Sequence, residues 1–346
     1  MLRASMIPIA PSAVACSPRL IVFCCVAAAV TVCGLNAVAQ PPAPAPDTVG
    51  KSGADGLPPL APLSPELQKV LGKAQQLNPD ATVFLDKAGG RVLVRSEIAC
   101  RDCILEMICV PERVKEHETI LRMRARAYVV HAGLIALGLE AGTPAVWEDR
   151  FVPPKGSEIS IYANWIDANG KHQRKDIRTW VRNNIHRYFS RPLPTPPPGL
   201  KIPYRELRYD NFNREAIWFG PMSEEDRADL LGKWDNKTYK DAINGFFEDS
   251  QSRQMEAKFV FVGSQFYKDP DTGEQVYLAE GGHVLCVSNF ADALIDIVEE
   301  SSSADGALTY EAWAERIPPV DTPVILELIP VRKAPTAGGQ PEATPE

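Results

Sequence analysis

Residues 125–139 read ARAYVVHAGLIALGL, a block of helical length whose apolar side chains cover nearly the whole circumference of an α-helix. A helix that is apolar on every side is normally buried at the centre of its domain. The rest of the chain is therefore expected to wrap it. The block ends at Gly138 or Gly142, with Pro144 beyond.

Strand-like runs surround this block. Residues 81–85 (ATVFL) and 91–94 (RVLV) flank DKAGG and read as a hairpin with a glycine-bearing loop. Residues 158–166 form a strand that turns at Asp167-Ala168-Asn169-Gly170. Further strands are expected at 104–110, 258–263, 275–278, 283–287 and 324–331. A helix begins at Ser64, a good N-cap followed by Pro65, with Leu67, Val70, Leu71 and Ala74 at helical spacing. Residues 176–189 read as a further helix carrying Ile177, Trp180, Val181, Ile185 and Phe189 on one face, and 290–299 as a short one. Residues 190–254 open on RPLPTPPPGL and continue through polar, helix-prone stretches, which points to an insert. The resulting expectation is an α+β fold, a mainly antiparallel sheet packed on a buried apolar helix, with a mostly helical insert.

The ends of the chain are of another kind. Residues 20–30 (LIVFCCVAAAV) are apolar but short for a membrane span, and Ala37-Val38-Ala39 supplies a small-x-small cleavage motif. Residues 1–39 thus read as a signal peptide cleaved near Ala39; the alternatives are an uncleaved anchor or a lipid on Cys33. Residues 40–63 are a proline- and alanine-rich linker and residues 333–346 a disordered tail, leaving a single domain over 64–332 with its insert at 190–254. The organisation predicts a periplasmic or secreted protein with no transmembrane segment in the mature chain. Loss of Arg3 and Arg19 with the leader moves the formal charge from −7 to −9. That acidity argues against nucleic acid or an anionic membrane as the main partner.

Several short motifs occur in a suggestive order: Lys115-Glu116-His117-Glu118-Thr119-Ile120, His131 to Gly138, Ala141-Gly142-Thr143-Pro144, Trp165-Ile166-Asp167, Asn169-Gly170-Lys171, Trp180-Val181, Phe261-Val262-Gly263-Ser264 and Asn289 to Leu294. In that order they resemble the YdjY-like family of bacterial proteins, over about residues 80–190 and 255–300. The resemblance implies a fold relationship. That family is functionally uncharacterised and loosely associated with ferredoxin-like electron transfer, so no catalytic residue carries over.

The residues that can carry chemistry are few. His117 between Glu116 and Glu118 is a candidate general base, although neighbouring side chains diverge on a strand or helix. The alternative is a histidine that fixes a backbone junction. His131, inside the apolar block, is expected to be buried with a hydrogen-bond partner. Four cysteines follow the leader: Cys100, Cys103, Cys109 and Cys286. In an exported chain they suggest disulfides. Cys100 and Cys103 also form a C-x-x-C pair, and Cys100, Cys103, Cys109 and His117 have the ligand types of a zinc site without a familiar spacing. An iron–sulfur cluster would want closer cysteine repeats. Arg178, Arg182 and His186 fall at four-residue steps and would form a basic stripe on the expected helix, with Lys171, Arg174 and Lys175 upstream. The stripe suits a small anionic ligand or an acidic face of an envelope protein; the bland alternative is a solvated face paired with the chain's own acids. Ser264 lacks the second glycine of a nucleophile elbow.

With no convergent catalytic set, the expectation is a non-catalytic exported module that binds a ligand or partner at the cell envelope and needs no cofactor. A metal- or thiol-dependent redox protein built on Cys100, Cys103 and Cys109 is the first alternative. A hydrolase using His117 with a flanking glutamate is the second.

Overall fold

The computed structural model describes residues 60–147, 150–304 and 308–332. The expected leader, Cys33, most of the expected linker and the expected tail at 333–346 lie outside the described residues. The first element is α1 (Pro65–Leu71), with the Ser64 side chain accepting from Leu67 N and Pro65 in the first turn. The hairpin of β1 (Val83–Asp86) and β2 (Arg91–Ile98) follows. Then come β3 (Met107–Pro111), β4 (Thr119–Met123) and α2 (Ala127–Ala136). Next in the chain are β5 (Ser157–Ile166) and β6 (His172–Asp176). The insert region holds β7 (Tyr188–Pro192), β8 (Leu207–Asp210), β9 (Glu215–Phe219), α3 (Glu224–Leu231) and α4 (Lys237–Asp249). The chain closes with β10 (Phe259–Phe261), β11 (Leu285–Cys286), β12 (Ile295–Ile297) and β13 (Pro323–Pro330).

Eight of these strands pair in a closed ring, in the order β2, β13, β5, β10, β12, β11, β3, β4 and back to β2. Closure depends on two long strands. One edge of β2 pairs with β1 in its first half and with β4 in its second, while its other edge pairs with β13. β5 is likewise shared between β10, β6 and β13. Most pairs are antiparallel; β3 with β4 and β11 with β12 are parallel. A closed sheet has no exposed edge to protect.

The alternation of the sequence selects the inner face. Val92, Val94, Leu326, Leu328, Ile159, Ile161, Ala163, Phe259, Phe261, Ile295, Ile297, Leu121 and Met123 belong to one buried cluster. The gap left among Val94, Cys109, Met123, Leu326 and Leu328 is about 10 Å³. That is too small for more than about one water, so the interior is closely packed there.

This corrects the expected architecture. The centre is the inside of a mixed β-barrel, not a helix against an antiparallel sheet. The block at 125–139 supplies only α2, which stops at Ala136 ahead of Gly138 in the left-handed region (φ +85°). One side of α2 packs on the barrel, where Gly133 lets the helix approach Val92 and Leu77; its opposite side leaves Ile135 39% exposed. Residues 176–189 are not helical either. Asp176 Oδ1 accepts from Arg178 N and starts a single 3-10 turn, after which Val181–Asn183 pairs with Tyr310–Ala312. The Asn183 and Asn184 side chains then bond backbone groups at 251, 253, 186 and 308, drawing the chain away from helical bonding. Residues 290–299 hold β12 instead of a helix.

The insert is not mostly helical. β7, β9 and β8 form a three-stranded antiparallel sheet on which α3 and α4 pack. Its core of Phe189, Leu207, Trp218, Leu230, Tyr239, Ile243 and Phe246 is a cluster separate from the barrel interior. Tyr239, fully buried, donates its hydroxyl to Leu230 O at 2.9 Å and so ties α4 to α3. Tyr239→Phe is expected to cost the insert about 1 kcal/mol. Amide hydrogen exchange in α4 should then quicken about fivefold while β2 and β13 are unchanged. Equal acceleration in the barrel strands would show that the two cores open together.

Candidate functional site

The turn between β3 and β4 holds Glu116, His117 and Glu118 in a single 3-10 turn. Their side chains part company. Glu116 accepts from Arg113 N and faces Arg122, while the His117 side chain is 80% exposed and lies 3.4 Å from Glu118. Glu118 instead joins a group that sequence reading missed. Lys115 Nζ lies 3.8 Å from both Glu118 and Glu106 and 3.1 Å from His283 Nε2. His283 Nδ1 is 2.7 Å from Asp292 Oδ1, close but off the N–H direction, and its ring stacks on Phe290 at 4.0 Å. Burial and the neighbouring Glu118 raise the Glu106 carboxyl above its ordinary range. Lys115 and His283 are 168 positions apart in the chain, and only Lys115 lay in a motif.

The cysteines separate as well. Cys109 lines the barrel interior; Cys286 is buried with Met107, Val110 and Ala293 on the other face of the sheet. Cys100 and Cys103 lie together on the β2–β3 loop, both as free thiols. Among the described residues no group of three or more His, Cys, Asp or Glu side chains is placed to hold a metal ion. His131 is largely buried and pairs through Nδ1 with Tyr277 Oη at 2.8 Å; Ser264 donates its hydroxyl to Asp292 O.

The residues of the expected basic stripe are each matched by an acid. Arg178 makes a two-pronged contact with Asp176 at 3.0 and 2.6 Å. Arg182 and His186 do come together, but on Glu311, at 2.6 and 3.0 Å. With Arg178 in the 3-10 turn Ile177–Trp180 and Arg182 in the strand that follows, there is no helix face for them to share.

A positive site lies one strand earlier, on the outer face of the barrel. Outward positions alternate with the core: Glu327 on β13 stands opposite Leu93 on β2 and Tyr162 on β5, and Arg174 on β6 stands opposite Asn164 on β5. Arg91 NH1 and Arg174 Nε each donate to Glu327 at 2.6 Å, one to each carboxylate oxygen. Glu327 is 4% exposed. Burial alone would push its carboxyl up, but the bonds from the two arginines win and hold it below the usual carboxylate range. Arg91 is further tied to Asp86 at 2.9 Å and to Val70 O at 3.3 Å.

Arg174 is differently placed. Its guanidinium lies 3.7 Å over the Tyr162 ring, its side chain is 42% exposed, and its terminal nitrogens have no hydrogen-bond partner among the described residues. It opens into a groove of about 380 Å³ between α1 and the barrel, lined also by Glu66, Lys69, Asn164 and His172. α1 forms the groove wall because Leu67 is buried against Phe84, Leu93 and Ile325, which turns Lys69 outward. His172, whose Nε2 lies 3.1 Å from Asn164 Oδ1, contributes its ring to the groove lining. A fixed guanidinium, an ammonium with no ion-pair partner among the described residues and an imidazole around one opening, against Glu66 as the one acid of the lining, make a set suited to an anion.

No family model, curated protein or solved structure matches this chain, so the likeness to YdjY-like proteins stands on its motifs alone.

Proposed function

We propose that this chain is an exported, non-catalytic binding module of the cell envelope that takes a small anionic ligand in the groove between α1 and strands β2, β5 and β6. The observation that carries this reading is Arg174, held from behind by buried Glu327 and from one face by Tyr162, with its terminal nitrogens turned to the opening. Because the guanidinium is already oriented, a ligand carboxylate or phosphate needs little side-chain ordering to bind it. The gap inside the barrel, about 10 Å³, is too small to compete for such a ligand. No helix among the described residues is long and apolar enough to cross a membrane, which is compatible with a secreted or periplasmic chain. The exposed His117 gives the hydrolase alternative no positioned base.

Titration calorimetry on the mature chain with citrate and with inorganic phosphate tests the proposal. Binding is expected to weaken as sodium chloride is added. Arg174→Ala should weaken it about tenfold or more, the worth of one charge-assisted hydrogen bond, and Lys69→Ala by less. Absence of binding at millimolar anion, or binding that ignores both substitutions, would overturn it.

A further inference from the structure

The β2–β3 loop carries Cys100-Arg101-Asp102-Cys103, which the anion groove does not use. The start of β4 folds this loop back on itself. Ala99 N and Cys100 N both reach Ile120 O, at 2.8 and 3.4 Å, and the Cys103 thiol donates to Thr119 O at 3.5 Å. The Cys100 backbone and the Cys103 side chain therefore hang from consecutive carbonyls, with the two thiols close enough to influence one another. Both are partly exposed and free. The only cation of the motif is turned away: Arg101 donates to Ile317 O at 3.0 Å and to Ala314 O at 2.8 Å. Asp102 adds a negative charge beside the pair.

We propose that Cys100 and Cys103 are a low-potential disulfide site, closing by exchange with small-molecule disulfides or thiol–disulfide oxidoreductases and thereafter bracing the loop. In the first step one thiol gives its proton to solvent and attacks the external disulfide. This forms a mixed disulfide and releases one external thiolate, which takes up a proton. The second cysteine then loses its proton, attacks the mixed disulfide and releases the second external thiol. Two cysteine thiols are oxidised to one disulfide, and one external disulfide is reduced to two thiols.

The surroundings decide between a brace and an oxidant. Thiol pairs that oxidise other proteins stabilise a thiolate with a cation or a helix N-terminus, and so favour their own reduced form. Here Arg101 is withdrawn, the motif lies on an irregular loop, and Asp102 opposes negative charge. Burial and the neighbouring Cys100 push the Cys103 thiol well above its ordinary range. With neither the motif's own cation nor a helix N-terminus beside the open thiolate, the closed form is preferred. Cys109 and Cys286 take no part, being buried on opposite faces of the sheet.

The test is to treat the reduced mature protein with oxidised glutathione, alkylate it under native conditions, and map its peptides by mass. A Cys100–Cys103 cross-link is expected, lighter than the dithiol by two hydrogens, with Cys109 and Cys286 alkylated only after denaturation. The link should persist in equimolar reduced and oxidised glutathione. Cys103→Ser should stop at a glutathione adduct on Cys100. Persisting free thiols, a lasting mixed disulfide in the native sequence, or complete opening in the equimolar buffer would each overturn the proposal.

Discussion

Asp296→Asn is expected to stabilise the protein by about 2–4 kcal/mol above pH 7 and to flatten its stability between pH 4 and 7. Asp296 lies on β12, between Ile295 and Ile297 of the barrel core, and is fully buried. Its Oδ1 accepts from Ile297 N at 2.7 Å and from Asn289 Nδ2 at 3.2 Å; Oδ2 has no partner among the described residues. Burial is the leading cause that pushes this carboxyl up to about 7, against the hydrogen bonds that would lower it. The native state therefore holds a proton that the unfolded chain gives up near pH 4. Between those limits the native state binds more protons than the unfolded one, so stability falls as pH rises from about 4 to about 7 and levels off above. A shift of about three units corresponds to about 4 kcal/mol, and relaxation around a buried charge lowers the amount realised. Asparagine keeps the Oδ1 acceptor and removes the ionisation. Urea unfolding at pH 5 and pH 8 measures the effect: the native protein should lose more stability between the two than the variant, which keeps only the smaller slope of raised carboxyls such as Glu106. A variant that is less stable at pH 8, or that keeps the native pH slope, would show that Asp296 is satisfied as a charge.

Local chemistry was readable from the sequence, whereas long-range pairing was not. The Ser64 cap with Pro65, the β1–β2 hairpin around its glycine-bearing loop, and the last strand all follow from neighbours a few positions apart. Closure of the barrel rests on Leu326 meeting Val94 and on Leu121 meeting Ile98, and a period-two pattern says nothing about which strand lies alongside which. Leu285–Cys286 falls inside the strand expected at 283–287, whereas Ile295–Ile297 carries too few alternations to register and was read as part of a helix. The helical spacing of Arg178, Arg182 and His186 was real as a pattern. Asp176, Asn183 and Asn184 outweighed it by offering the backbone side-chain partners. Arg174 was noticed as part of a basic neighbourhood, but its significance depends on Glu327, 153 positions away.

Glu327→Gln is expected to destabilise the fold by about 3 kcal/mol at pH 7 and yet tighten anion binding. Glu327 is almost wholly buried between Arg91 and Arg174, with each arginine 2.6 Å from a different oxygen. A glutamine can accept from one of them and must present its own N–H groups to the other. Breaking a buried pair by neutralising one member costs about 3–5 kcal/mol. The lower end applies because Arg174 is 42% exposed and can rehydrate, and because Arg91 keeps Asp86. The native carboxyl lies below its unfolded value, so its contribution is complete above about pH 4.5 and is lost as pH falls through the lower native value. The gap between native protein and variant should therefore narrow in acid, the reverse of the trend for Asp296. For the groove two effects compete. Releasing Arg174 from its support costs about 0.5–1 kcal/mol of side-chain ordering on binding. Removing a negative charge about 6 Å from the bound anion gains about 1.4 kcal/mol at an effective dielectric constant of about 40. The charge effect is the larger, so the variant should bind citrate or phosphate up to a few-fold more tightly while melting earlier. Weaker binding in a folded Glu327→Gln protein would mean that the carboxylate matters to the site mainly by aiming Arg174.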